Sequence, residues 1–167
     1  MGKYNLNLQG DEIDEITLNK HGDKILISGD DANLWDKFCQ GYKKIEEMAD
    51  EVPKKMDELE KKYPGADNEI SSKQIVETSR VRVEFCENAI AVIDNIFGEG
   101  TAKKSFRDYY ESIPDFLPDE DKFIAFFETM TPIMEDIFKR KIERSQKESK
   151  RRMAKYQPQD HKRKGGR

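Results

Sequence analysis

Histidine, cysteine and tryptophan are scarce here: two His, two Cys and one Trp in 167 residues. Neither His21 nor His161 has a second histidine at ligand spacing, which argues against a metal centre. Cys39 and Cys86 stand alone inside helical patterns, without a CxxC or a disulfide-framework spacing, so both read as buried, reduced thiols. Long apolar runs are also missing. The longest, Ala89 to Ile93 and Phe123 to Phe127, fall far short of the roughly 20 residues that span a bilayer, so no membrane association is expected. The first residues lack the apolar core of a signal peptide, and Leu6 stands where a myristoylation motif requires Ser or Thr, which sets cytoplasmic localisation as the expectation. No nucleophile is paired with a base by any motif. An enzyme is not expected, and no catalytic, cofactor-binding or metal-binding residue is nominated.

Charge is abundant, at 38% of residues against 35% apolar, and it is unevenly placed. Of the 30 Lys and Arg and 34 Asp and Glu, 13 basic and 3 acidic residues fall in 139–167, leaving 17 basic and 31 acidic in 1–138. The chain reads as an acidic body with a basic tail. The body's apolar residues are clustered, and its length suits one domain with a workable core. The expected organisation is a single, mostly helical domain over 1–138, followed over 139–167 by a helical extension or a disordered tail.

Tyr4, Leu6 and Leu8 alternate with polar residues, as do Ile16 with Leu18 and Ile25 with Ile27, which is strand periodicity. The Gly22-Asp23 pair suits a turn with a positive backbone dihedral, so a β-hairpin is predicted over about 15–28. The acceptors of Ser28, Asp30 and Asp31 then predict a helix start near Ala32. Leu34, Phe38, Ile45, Met48, Val52, Met56, Leu59 and Tyr63 make one apolar stripe. Pro53 removes a donor, so a kink or break is expected near Glu51, and Tyr63-Pro64-Gly65 ends the element.

The most apolar stretch runs from Val81 to Phe138. A helix capped by Ser71 or Ser72 and running from Lys73 to Phe97 carries apolar residues around most of its later circumference, which makes it the predicted centre of the core, with Phe85, Val92, Ile93 and Ile96 buried. Gly98 stops it, Thr101 caps a short helix through Tyr110, and Ile113 to Pro118 is a loop. Asp119 caps a last helix with a broad face of Phe123, Phe126, Phe127, Met130, Ile133, Met134, Ile137 and Phe138, which Pro132 is expected to bend. Past Ile142 it thins into charge, and Gln157-Pro158-Gln159 ends it. The fold class is therefore mainly α with a small N-terminal β-hairpin: a bundle of about four helices, the long C-terminal one running into the basic tail.

Three features invite chemistry. Gly98 to Ser105 resembles a phosphate loop, GxxxxGK[ST], but Lys103 replaces the second glycine and a helix precedes the turn where a strand belongs, so a helix stop is the preferred reading. Glu46, Glu47, Asp50 and Glu51 have lysines at four-residue spacing and read as surface pairing. The tail, with Lys150, Arg151 and Arg152 followed by Lys162-Arg163-Lys164, could engage nucleic-acid phosphates, although it contains no recognised nucleic-acid module and an acidic protein surface suits it at least as well.

Ile96-Phe97-Gly98-Glu99-Gly100-Thr101, Lys103-Lys104-Ser105-Phe106, Phe126 to Met134 and a terminal basic stretch with Lys155-Tyr156 resemble the tail assembly chaperones of long-tailed bacteriophages and prophages. The similarity is strongest over about 90–138. It implies a non-enzymatic protein without a cofactor that binds the tape-measure protein, keeps it soluble, and helps recruit tail-tube (major tail) subunits. It also implies host-cytoplasmic action, absence from the mature virion and a second, frameshift-extended product. Phe123, Phe126, Phe127, Met130 and Phe138 would meet the client, and Lys150, Arg151 and Arg152 an acidic partner. Without a client, such an apolar face would favour self-association. The alternatives are a nucleic-acid-binding or regulatory protein acting through the tail and a helical adaptor.

Overall fold

The computed structural model describes residues 1–4, 6, 12–63, 71–113 and 115–156. The element order is β1 (Ile13–Thr17), β2 (Lys24–Ser28), α1 (Leu34–Lys62), α2 (Ser72–Phe97), α3 (Thr101–Ser105), α4 (Arg107–Tyr110) and α5 (Glu120–Tyr156). The mainly helical fold with an N-terminal hairpin is as expected.

β1 and β2 pair antiparallel, with Ile16 opposite Ile25 and Asp14 opposite Ile27. The period of two turns Asp14, Ile16, Ile25 and Ile27 to the protected face and leaves Ile13 and Leu26 exposed. Gly22 has φ +85°, the left-handed conformation that the turn requires of it. Asn19 fastens that turn: its Oδ1 accepts the His21 amide at 2.9 Å, while its Nδ2 donates to Asp23 at 2.7 Å and to the Lys104 carbonyl at 2.8 Å. The hairpin starts at Ile13, slightly before the expected Glu15. Tyr4 and Leu6 are exposed and outside any strand; Leu8 lies outside the described residues.

α1 begins at Leu34 rather than Ala32, because a turn held by the Asp31 carboxylate, which accepts the Asn33 amide at 3.0 Å, occupies the intervening residues. It continues unbroken through Pro53. The proline forfeits one backbone hydrogen bond, but Ile45, Met48 and Val52 before it and Met56 after it all join the core, and this packing holds both sides in one helix. The expected stop at Tyr63 is observed; 64–70 lie outside the described residues. Ser71 caps α2, its hydroxyl accepting the Gln74 amide at 3.1 Å.

α1, α2 and α5 enclose the core, in which Phe38, Ile45, Ile93, Phe123, Phe127 and Met134 are fully buried. Gly41 lets α1 and α2 approach closely, since a Cβ there would stand 2.5 Å from Ile96 Cδ1. Phe85, Ile93 and Ile96 are buried as expected, whereas Val92 is half-buried. The first half of α2 is not covered on several sides: Ile75, Val76 and Val83 face solvent.

The single short helix expected after Gly98 is two, because Phe106 breaks it by turning its ring into the core, 5.2 Å from Phe123. Its cap position is Gly100, at φ +85°, not Thr101. Asp119 caps α5, accepting the Lys122 amide at 3.2 Å. α5 then runs 37 residues as one continuous helix that includes Pro132, with the Thr131 hydroxyl donating to the Phe127 carbonyl at 2.7 Å. Its expected end at Gln157-Pro158-Gln159 lies outside the described residues.

Candidate interaction surfaces

The aromatic face of α5 divides. Phe123 and Phe127 have no exposed surface, and Met130 is 4% exposed. Phe123 meets Phe85 edge-on at 5.7 Å, and Phe127 lies 5.3 Å from Tyr42 with the rings nearly parallel, at 9°. These contacts hold the bundle together, so an approaching partner cannot reach Phe123 or Phe127; their assignment to partner binding is corrected to core. Phe138 is half-buried against Trp35, at 5.2 Å. Phe126 is half-buried and packs on Phe97 at 5.9 Å.

Phe126 and Met130 also line a groove of about 270 Å³, between the hairpin, α3–α4 and the outer side of α5. Ile16 and Leu18 form one wall, Phe106 and Tyr109 another, and Ile133 closes the far end. Tyr109 and Ile133 are 56% and 36% exposed at its rim. Lys122 stands at the mouth with Nζ 5.7 Å from the Tyr109 ring centre. The wall at Ile16 to Leu18 belongs to a strand that has β2 on one side and no other strand among the described residues. The groove therefore combines an apolar floor with a strand that has no second neighbouring strand among the described residues. Sequence reading missed the contribution of Ile16 and Leu18, because nothing local in a two-strand pattern says which helix the hairpin will lie across.

The glycine turn is closed to phosphate. Asp94, the fourth residue from the end of α2, reaches forward so that its carboxylate accepts the Gly100 amide at 3.1 Å and the Ala102 amide at 3.0 Å. Two donors that a phosphate would need are thus already bound by an internal anion, in keeping with the helix-stop reading. The signal in the sequence was a carboxylate six residues before the second glycine.

The basic segment also divides. Arg140 binds Asp14 at 2.7 Å and Glu12 at 3.3 Å, Arg144 binds Glu12 at 2.8 Å, and Lys141 pairs with Asp30. These residues clamp the hairpin to α5, and the Asp14 bond, ahead of the opposing effect of burial, raises the Arg140 pKa. From Ser145 to Tyr156 every residue is exposed. That part of α5 projects about 18 Å at 1.5 Å per residue and carries Lys150, Arg151 and Arg152 into solvent. Lys162, Arg163, Lys164 and His161 lie outside the described residues.

His21 is not a free surface histidine: its Nε2 lies 3.7 Å from Asp108 and pairs with Glu111, joining the hairpin turn to α4. Arg107 does the same from the other side, bonded to Asp23 at 2.8 Å. Cys86 is buried, donates to the Pro118 carbonyl at 3.0 Å, and has its pKa pushed up to about 11 by burial and then by Glu120. Cys39, expected to be buried, is exposed, because it falls on the solvent side of the turn that buries Phe38. Its pKa is also raised, by desolvation and by Asp36.

Among the described residues no group of His, Cys, Asp and Glu is placed to hold a metal ion. No helix among them is long and apolar enough to cross a membrane. Comparison with protein-family models, with curated proteins and with solved structures gives no match to this chain.

Proposed function

We propose that this chain is a tail assembly chaperone of a long-tailed phage or prophage, a non-enzymatic protein that binds the tape-measure protein and helps recruit tail-tube subunits. In this reading it acts in the host cytoplasm, needs no cofactor and is absent from the mature virion. The observation that carries the proposal is the open groove at Phe126, Met130 and Ile133, which lies within the stretch resembling that family. A long helical client exposes apolar stripes that would otherwise aggregate, and an apolar groove can cover part of such a stripe by helix packing. The groove replaces the whole aromatic face as the client site, since Phe123 and Phe127 are interior. The projecting basic end of α5 would draw in an acidic tube subunit.

Burial of apolar surface is not screened by salt, whereas contacts of exposed charges weaken over a Debye length of roughly 10 Å at 0.1 M. Client binding is therefore expected to survive raised salt and tube-subunit binding to fall. The test is co-expression with a tape-measure protein, using the full chain, a chain ending at Ser145, and an Ile133→Asp variant. The cut lies after Arg144 so that the hairpin clamp is kept. Solubilisation by the full and shortened chains, and its loss in the variant, is the expected result. A tape-measure protein equally insoluble with and without this chain would refute the chaperone reading. Strongly salt-dependent DNA binding, lost on cutting at Ser145, would favour the nucleic-acid alternative instead.

A further inference from the structure

α2 displays an apolar stripe that no other described element covers. Ile75, Val76 and Val83 are 55%, 49% and 39% exposed, and Leu117, also 39% exposed, adjoins them. Two shallow depressions that share Ser79 and Val83 run along this face. At 100° per residue Ile75, Ser79 and Val83 fall within one sector about 80° wide, with Val76 at its border. The small Ser79 sits at the middle of the stripe, where a second helix could approach closely.

One flank of the stripe carries, in order along α2, Lys73, Arg80, Glu84 and Glu87. All four are exposed, and none has an ion pair among the described residues. The nearby Arg82 is on the opposite flank and is already bound to Glu120, at 3.0 Å. When two copies of a helix pack antiparallel about a two-fold axis, each flank meets the same flank of its partner in reverse order. Reversal about an axis near Ser79 leaves Arg80 beside its own copy, so only the ends of this flank meet opposite charge. With the axis near Ser79, Lys73 comes opposite Glu87, and Ile75 and Val76 come against Val83. The ends of the flank and the apolar register complement themselves in this orientation.

We propose that this face of α2 binds a second copy of this chain, forming a two-fold symmetric dimer through antiparallel α2 helices with the axis close to Ser79. The inference uses none of the residues assigned to the client groove or to the projecting end of α5, so it stands or falls separately from the chaperone reading.

Sedimentation velocity of the full chain over a range of concentrations, in a Cys39→Ser background, tests it. A dimer is expected, and Val83→Asp is expected to weaken it by about tenfold or more while leaving the circular dichroism and melting midpoint in place. Ser79→Cys in the same background is expected to form an intermolecular disulfide on mild oxidation, because a residue on the axis faces its own copy. Lys73→Glu and Glu87→Lys are each expected to weaken the dimer, and an equimolar mixture of the two to restore it as a heterodimer, since both inter-chain contacts are then opposite in sign. A chain that stays monomeric at all concentrations would overturn the proposal. So would a dimer unmoved by Val83→Asp, or a mixture with no preference for the heterodimer. Weaker tape-measure binding by Val83→Asp with an unchanged oligomeric state would assign the stripe to the client and overturn it as well.

Discussion

Arg140 donates to Asp14 at 2.7 Å, joining residues 126 apart in the sequence. The hairpin lies on α5, and this bond and its neighbours fasten its acidic side to the first basic turns of the tail. Arg140→Ala is expected to speed amide hydrogen exchange of Ile13 to Thr17 while leaving that of α2 near Ile93 unchanged. A cut after Ile142 removes Arg144 and its bond to Glu12, so it is expected to loosen the hairpin without lowering the cooperativity of helix melting. Exchange rates of β1 unaltered by either change would show that apolar contacts alone hold the hairpin.

The Asp94 carboxylate and the amides of Gly100 and Ala102 close the turn after α2. Asp94→Ala leaves both amides without this acceptor and is expected to cost about 1–3 kcal/mol, read from the urea midpoint. ATP and inorganic phosphate are expected not to shift the melting temperature of the unmodified protein. A phosphate-dependent rise would mean that the carboxylate yields its place to an anion.

Ile93 has no exposed surface, and Ile93→Ala is expected to cost about 2–5 kcal/mol. Gly41 gives a sharper test of how closely α1 and α2 pack. Gly41→Ala improves helix propensity by about 1 kcal/mol, yet the added methyl would lie 2.5 Å from Ile96 Cδ1. Net destabilisation is expected. Ile96→Val removes that Cδ1, so the double variant is expected to be more stable than the sum of the two single effects, with a coupling of about 0.5–3 kcal/mol.

Acid is expected to weaken the fold at two places. The Asp23 pKa is lowered by its hydrogen bond from Asn19 and then by Arg107, and the Glu77 pKa by Tyr63 and then Lys62. A depressed carboxylate pKa stabilises the folded state above the unfolded-state value, and the contribution is lost as pH falls through the folded-state value. The loss therefore begins as pH drops below the ordinary carboxylate range and is complete below the lowered values. Urea midpoints measured from pH 6 to pH 2 are expected to fall across this window, and less steeply in Asp23→Asn. An identical slope in that variant would show that Asp23 makes no contribution to acid sensitivity.

The sequence by itself determined the elements whose signals are local. Apolar spacing at three and four residues marked α1, α2 and α5, alternation marked β1 and β2, and Ser71, Gly98 and Asp119 marked helix ends, because a cap acts on amides or carbonyls within one turn. The division of charge between body and tail was equally plain.

Tertiary structure decided what depends on partners distant in the chain. Pro53 carries a breaking signal, yet packing on either side of it keeps α1 whole. Phe123 and Phe126 look alike in the pattern, but one is interior and the other lines a groove, since a helical stripe does not state how many neighbours will cover it. Ile75, Val76 and Val83 were as apolar as Ile93 and remain exposed because α1 and α5 reach only part of α2's circumference. The tail's first basic residues, Arg140, Lys141 and Arg144, became part of the body for the same reason: Asp14, Asp30 and Glu12 meet them only once the hairpin has been laid across α5.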